Sequence, residues 1–250
     1  MHDLPISELW RYPVKSMQGE RLDHVEIDEW GVAGDRQWAL VDRSTGLALT
    51  ARRVPELLFA HARLVDADTV AIELPGGQST TDDAALSAWL DRDVTLRRAG
   101  EERGTFEIAT DFEDEEGSEW VRWQGPAGTF HDSTRARLSI VSNATMAPWD
   151  HRRFRANVVV NATTAGIEDQ LVDQRVELGT ATVDVVKQID RCVMTTRPQP
   201  DGIGRDLDVL RTINRERNSF LAVGALVATP GTVAVGDVLR LSSLSAQQGS

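Results

Sequence analysis

The chain contains a single cysteine, Cys192, in the stretch QIDRCVMTTRPQPDG at residues 188–202. A lone thiol can simply fill core space as a small apolar side chain. A thiol beside fixed positive charge ionises more easily and becomes a nucleophile or a soft metal ligand. Arg191 directly precedes Cys192, and two threonines and Arg197 follow closely.

Four further islands are polar where the surrounding pattern predicts strands. YPVKSMQG (12–19) sets the Lys15 cation beside the Ser16 hydroxyl. In GVAGDRQWALVD (31–42), Gly31 and Gly34 bracket a tight turn, and Asp35–Arg36 lead into an apolar strand. FHDSTRARLSIVS (130–142) puts His131, Asp132 and Ser133 just before a strand. RRFRANVVVN (152–161) spaces Arg155 and Asn157 so that they share one face of an expected strand, with Arg152 and Arg153 nearby.

Each island alone has an ordinary structural reading. A Lys–Ser pair in a turn is usually solvated, and an Asp–Arg pair before a strand is often structural. Together they describe one kind of site: cations, hydroxyls and amides around a thiol. Arginine forks match phosphate oxygens bidentately, lysine supplies a point charge, and Ser and Asn fill the neutral hydrogen bonds. The pattern therefore suits a large anionic ligand carrying a soft metal. A hydrolase reading of His131, Asp132 and Ser133 fails for want of a G-x-S-x-G elbow. The chain also has no G-x-G-x-x-G, no Walker loop, no H-E-x-x-H and no C-x-x-C.

The scaffold that must position these islands is rich in strands. Alternation predicts strands at 23–28 and 38–42, and a hairpin of 60–65 and 69–74 around Asp-Ala-Asp. Asp82 or Asp83 caps an expected helix with Leu86, Trp89 and Leu90 on one face. Strands follow at 94–99, 137–142, 154–161 and 180–188, with a short helix capped by Asn143 between the second and third. Residues 206–217 form a helix that packs through Leu207, Leu210 and Ile213, and two apolar strands around Thr-Pro-Gly close the chain. Many short strands with few helices make the fold class α+β and strand-rich, a barrel or a sandwich decorated by helices.

The 250 residues suffice for one large domain or two modest ones. The stretch TDFEDEEGSEW (110–120) carries six carboxylates and no base. It reads as a solvated loop between two units, or else as a docking patch for a basic partner. The expected division is 1–105, 106–243 and a disordered tail at 244–250. The net charge of −12 opposes binding to nucleic acid or to an anionic membrane. No apolar run approaches the roughly 18 residues that span a bilayer. The N-terminus lacks a secretory leader, so a cytoplasmic location is expected and the Asn143 and Asn161 sequons carry little weight.

YPVKSMQG, GDRQWALVD and TARR (50–53) closely resemble the N-terminal β-barrel domain that precedes a MOSC domain, the molybdenum cofactor sulfurase C-terminal domain. FRANVVVN, DRCVMTT and GTVAVGDVLRL resemble the MOSC domain itself, so the likeness runs from about residue 5 to 242. It implies a MOSC β-barrel with an N-terminal β-barrel-like α/β subdomain. The order of the motifs is more specific than any one of them. In architecture the chain is similar to the amidoxime-reducing components and their bacterial counterparts, which reduce N-hydroxylated compounds.

The resemblance implies a molybdenum cofactor, with Cys192 as the metal-ligating thiolate. Lys15 and Ser16 match the family's Lys-Ser and would hold the phosphate and pterin side, as would Arg36. Asp132 and Ser133 fall where the family makes polar contacts near the metal, and His131 is a weaker candidate because the contact there could come from its backbone. Arg155 and Asn157 match the family's F-R-P-N, with Ala156 replacing proline, and Arg191 adds charge beside the thiol. The implied activity is an N-reductive oxidoreductase fed by a separate ferredoxin-, flavodoxin- or cytochrome-type donor with its reductase. One cysteine cannot build the ferredoxin domain that some bacterial relatives carry, and no anchor of the mitochondrial kind is visible. The alternative is a cofactor carrier or a sulfurase-type sulfur carrier with a persulfide on Cys192. No pyridoxal-phosphate domain accompanies it to generate that sulfur. A β-rich binding module with an accidental match is the third reading, opposed by five motifs in the right order.

Overall fold

The computed structural model describes residues 3–110 and 117–242. Residues 111–116 of the acidic stretch and the expected tail lie outside them. Seven strands close into a barrel in the order Val158–Val160, Leu138–Ser142, Phe220–Thr229, Ala181–Asp190, Arg175–Leu178, Val238–Leu241 and Leu4–Arg11. The last pairs back onto the first through Leu9↔Val158, so the cylinder has no free edge. An eighth strand, Glu20–Leu22, lies outside it on Leu4–Arg11.

Side chains alternate in and out along these strands, as in the buried Val176 and Leu178 or Ala181, Val183 and Val185. The inward set, with Ile6, Leu9, Ile140, Val160 and Val223, forms one apolar cluster. Each fully buried Val, Leu or Ile contributes roughly 1.5–3 kcal/mol. Leu138–Ser142 and Val158–Val160 are parallel, so the chain must cross over between them. That crossover carries the F-R-A-N segment. The pairing of Ala181–Asp190 with Phe220–Thr229 is irregular three times, including between Val185 and Lys187 and between Gln188 and Asp190. Such bulges bend and re-aim a strand, here just before Cys192.

The remaining strands form small sheets, and Trp38–Asp42, Val94–Arg98, His61–Asp66 and Thr69–Glu73 cover a second core that includes Val14, Met17, Leu40, Leu58, Ile72, Leu86 and Val94. Trp38–Asp42 pairs with Val94–Arg98, and His61–Asp66 with Thr69–Glu73 form the expected hairpin. Asp82 caps the helix Asp83–Leu90 by accepting the Ala85 N–H at 2.9 Å, and Leu86 is fully buried. The strand-rich α+β expectation holds.

Several expectations need correction. The short helix Asn143–Met146 is capped by Ser142, whose Oγ accepts the Thr145 N–H, while Asn143 Oδ1 accepts the Ala162 N–H at 2.8 Å. The later helix runs Asp208–Arg217 and packs through Val209 and Ile213, leaving Leu207 41% exposed at its cap position. The C-terminal segment holds three strands, with Gly231–Ala234 paired to His24–Asp28 between the expected two. The strand expected over 154–161 is only Val158–Val160. The acidic stretch departs from a hairpin, Thr105–Ala109 with Trp120–Gln124, that no sequence signal announced.

Candidate functional site

All nine predicted residues (Lys15, Ser16, Arg36, Asp132, Ser133, Arg155, Asn157, Arg191 and Cys192) line one cavity of about 210 Å³, together with His131. It lies where the barrel meets the N-terminal sheets. Lys15 and Ser16 follow the strand Leu4–Arg11, and Arg36 precedes Trp38–Asp42. Asp132 and Ser133 lead toward Leu138–Ser142, Arg155 and Asn157 toward Val158–Val160, and Arg191 and Cys192 follow Ala181–Asp190. Five loops at strand ends thus converge, on rigid elements that fix their spacing.

The backbone at three of these motifs is left-handed: φ is 68° at Ser16, 51° at Arg36 and 52° at Arg155. For non-glycine residues this costs of order 1–3 kcal/mol each and persists only where surroundings enforce it. Ser16 Oγ accepts the Ala51 N–H at 3.0 Å. The Arg36 N–H donates to Tyr12 O at 2.7 Å, and Arg36 O accepts the Phe130 N–H at 2.7 Å. Gly31 and Gly34 bracket that turn at φ 115° and 84°, and a Cβ on Gly31 would sit 2.3 Å from Arg137 O.

Arg155 and Asn157 do not share a strand face, because the left-handed turn at Arg155 precedes the strand. The Arg155 guanidinium lies 4.3 Å from the Tyr12 ring centre and donates to Met17 O, and Arg36 covers the same ring at 5.0 Å. Asn157 Oδ1 accepts from Ser139 N and Oγ at 3.2 and 3.0 Å, and Nδ2 donates to Trp10 O at 3.3 Å. Its amide therefore ties the cavity wall together and keeps one N–H for a ligand.

Arg52, Arg137, Arg153 and Lys187 also line the cavity, so eight basic side chains face the carboxylates of Asp132 and Asp190. This concentration stands in a chain of net charge −12. Lys15 is 6% exposed; its Nζ donates to Phe130 O at 2.8 Å and to the Asp132 carboxylate. Burial pulls the Lys15 ammonium below its ordinary pKa, and Asp132 opposes the shift. Burial also acts to raise the Asp132 pKa, but Lys15 and Arg52 outweigh it and hold the carboxyl well below the usual range. The imidazole of His131 is pushed down to about 3 by burial and by Arg36, so it is neutral at physiological pH. Its Nε2 stands 3.7 Å from Asp35 Oδ2, too far for a hydrogen bond.

Arg153 is held by the carbonyls of Thr195 at 3.0 Å and Gly204 at 2.8 Å, and so braces the loop after Cys192. Arg191 donates through Nε to Leu221 O at 2.7 Å and through Nη1 to Phe154 O at 2.9 Å. Arg155 and Arg191 are each pushed down to about 10, chiefly by burial, and stay charged at neutral pH. Each leaves its Nη2 buried without a hydrogen-bond partner. Cys192 is half-buried and unpaired at the start of the single-turn helix Val193–Thr196. Its carbonyl accepts from Thr195 N at 3.1 Å and Oγ1 at 3.0 Å, which fixes where the thiol sits.

Family models match along nearly the whole chain: the MOSC N-terminal beta barrel domain over residues 4–132, and the MOSC domain over 128–240. The chain belongs to the MOSC family. The two matches overlap in the link that carries His131 and Asp132. A molybdenum cofactor sulfurase of Drosophila grimshawi is 27% identical over 87% of this MOSC chain, which spans 31% of that relative's length. The human mitochondrial amidoxime-reducing component 1 is 22% identical, with 94% of this chain matching 82% of that protein. Among solved structures, the YuaD protein of Bacillus subtilis superposes with a TM-score of 0.44 at 12% identity, covering 95% of this chain and 94% of that one. No helix among the described residues is long and apolar enough to cross a membrane.

The cavity of this MOSC chain fits a phosphorylated cofactor that carries a metal. Two buried guanidinium N–H groups lack acceptors, which phosphate oxygens would supply. Among the described residues no three His, Cys, Asp or Glu side chains cluster as a metal site.

Proposed function

We propose that the chain is a molybdenum-cofactor-dependent oxidoreductase that reduces N-hydroxylated or N-oxide compounds with electrons from a separate redox protein. The observation that carries this reading is the convergence of Cys192 with the unpartnered N–H groups of Arg155 and Arg191 in one cation-rich cavity. Similarity to an amidoxime-reducing component over most of both chains supports it. When bound, the cofactor would supply a two-electron redox centre for reducing an N–O bond. The protein's own residues bind and orient. The Cys192 thiolate holds the metal, Arg155 and Arg191 take the phosphate, and Lys15 with Arg36 neutralises the charge left over. Reduction of N–OH to N–H consumes two electrons and two protons and releases water, so the donor protein delivers two electrons per turnover.

The test compares molybdenum per chain in the wild type and Cys192→Ser, both made in a host that synthesises the cofactor. Near one metal per chain in the wild type, falling to background in the variant, supports the reading. An amidoxime should then be reduced when a low-potential chemical donor is supplied. No metal in either protein, from a host that loads a control MOSC protein, overturns it. Capture of labelled persulfide sulfur on Cys192 in that case favours the sulfur-carrier alternative.

A further inference from the structure

A second cavity, of about 610 Å³, adjoins the first: Arg52 lines both, and Val193, next in the chain to Cys192, lines the second. Among the described residues that line it, five arginines (52, 53, 92, 197 and 205) stand with one carboxylate, Glu107. Arg52 reaches Asp132 at 3.3 Å, Arg53 reaches Glu107 at 3.5 Å, and Arg92 reaches Asp42 at 3.1 Å. Arg197 and Arg205 have no acidic partner among the described residues. Arg197 donates through Nη2 to Arg52 O at 2.9 Å, but its Nε is buried without a partner, as is Thr50 Oγ1 on the same wall. Trp120 offers an aromatic face, with Arg53 stacked 4.6 Å from its ring centre, and Leu47, Leu49 and Leu207 add apolar surface.

Among the described residues Arg197 and Arg205 stand without an acidic partner beside three paired arginines, and the buried Arg197 Nε is costly unless an acceptor answers it. The volume lies within the roughly 300–1,000 Å³ typical of small-molecule sites. Guanidinium forks fit a carboxylate or a phosphate equally, and the aromatic and apolar walls fit a flat ring. We propose that this second cavity is the subsite for the anionic end of the substrate, a carboxylate or phosphate carried on a planar ring. The N-hydroxylated end of the same molecule then points toward Cys192. The assignment rests on the reductase reading, which leaves the substrate unnamed.

Two measurements on the cofactor-loaded chain separate this assignment from that reading. Calorimetric titration with benzoate, phenyl phosphate and neutral benzamide reads the subsite without turnover. One or both anions should bind while benzamide does not, and the tighter anion identifies the acidic group. Arg197→Gln and Arg205→Gln should each weaken the anion at least about tenfold, the usual scale for one charge-assisted hydrogen bond. Arg205 is exposed, so its variant should fold, and Arg175→Gln on the distant barrel surface should leave the affinity alone. No anion binding overturns the subsite, as does affinity lost in Arg155→Gln but kept in Arg205→Gln, which puts the anion in the first cavity. Second, the ratio of kcat/KM for a carboxylated aryl amidoxime to that for its neutral parent should exceed one and fall toward one in Arg205→Gln. Equal turnover of both compounds, unchanged in that variant, sinks the subsite and spares the reductase. Arginine-dependent binding with no reduction of either compound sinks the reductase and leaves an anion site.

Discussion

Inside the barrel, Leu9, Ile140, Val183 and Val223 are fully buried, apolar and set on strands. At the ends of those strands the cavity wall is nearly as buried but polar, with Lys15 at 6% exposure, Arg153 at 8% and Asn157 at 1%. Its backbone is left-handed at Ser16, Arg36 and Arg155. The barrel gains from burial at each position, whereas the wall meets costs of strain, desolvation and repulsion among like charges. Across the wall, burial first and then Arg36 lower the pKa of Arg155 and of Arg191. The comparison teaches that the site does not hold itself together. The barrel supplies its stability, and an anion in the cavity would relieve much of its cost.

Substitutions can break that contrast. The largest effect should come from Leu9→Ala, which opens a cavity in the barrel and should lower unfolding stability by about 2–5 kcal/mol in a urea titration. Arg155→Gln should behave oppositely, keeping the far-UV spectrum while weakening cofactor retention about 10–100-fold, read as molybdenum remaining after dialysis. Acid should attack the wall before the barrel. His131 titrates at about 3 in the fold against an ordinary value of 6.5, so the unfolded chain binds the extra proton between those values. Stability is then full above pH 6.5 and falls on acidification by up to about 1.4 kcal/mol per pH unit. His131→Gln should flatten that slope. Below pH 3.8 the depressed carboxyl of Asp132 adds a further loss as it protonates.

The smallest effect sharpens the contrast from outside the site. Asp173 is exposed and left-handed at φ 64°, with no side-chain hydrogen bond. Asp173→Gly should raise the urea midpoint slightly, by no more than about 1 kcal/mol in stability. Arg36→Gly would relax the same backbone region but remove a guanidinium from the cavity, so metal content should fall there and not in Asp173→Gly.

Local pattern made much of this legible. Trp38–Asp42 and the hairpin of His61–Asp66 with Thr69–Glu73 alternate cleanly and end in turn residues, so sequence alone places them within a residue or so. Leu4–Arg11 was hidden because its pairing with Val158–Val160 shifts between Ile6 and Glu8, which breaks the alternation before Leu9. In the helix Asp208–Arg217 two stripes compete, and only tertiary packing selects Val209 and Ile213 over Leu207 and Leu210. Arg155 has a strand-like neighbourhood, yet contacts with Tyr12 and Met17 accompany a left-handed turn that no local signal announces.

At the site, clustered polar residues in otherwise apolar surroundings were enough to nominate the members of one cavity. Arg137 and Lys187 escaped notice because a single base on a strand looks like any solvated side chain. Lys187 lines the cavity just past an irregularity in strand pairing, which spacing does not reveal.

The pairing of Leu4 with Leu239 has a consequence for how the molecule is made. The strand Leu4–Arg11 waits for Val238–Leu241, which is made long after it, while the core around Met17, Leu58 and Val94 draws mostly on the segment between Val14 and Val94. Such distant pairings slow folding and leave a β-edge uncovered in the interval. The loop bearing Cys192 is therefore translated well before the cylinder that positions it can shut. A cofactor that needs the closed site would have to enter after Val238–Leu241 is made.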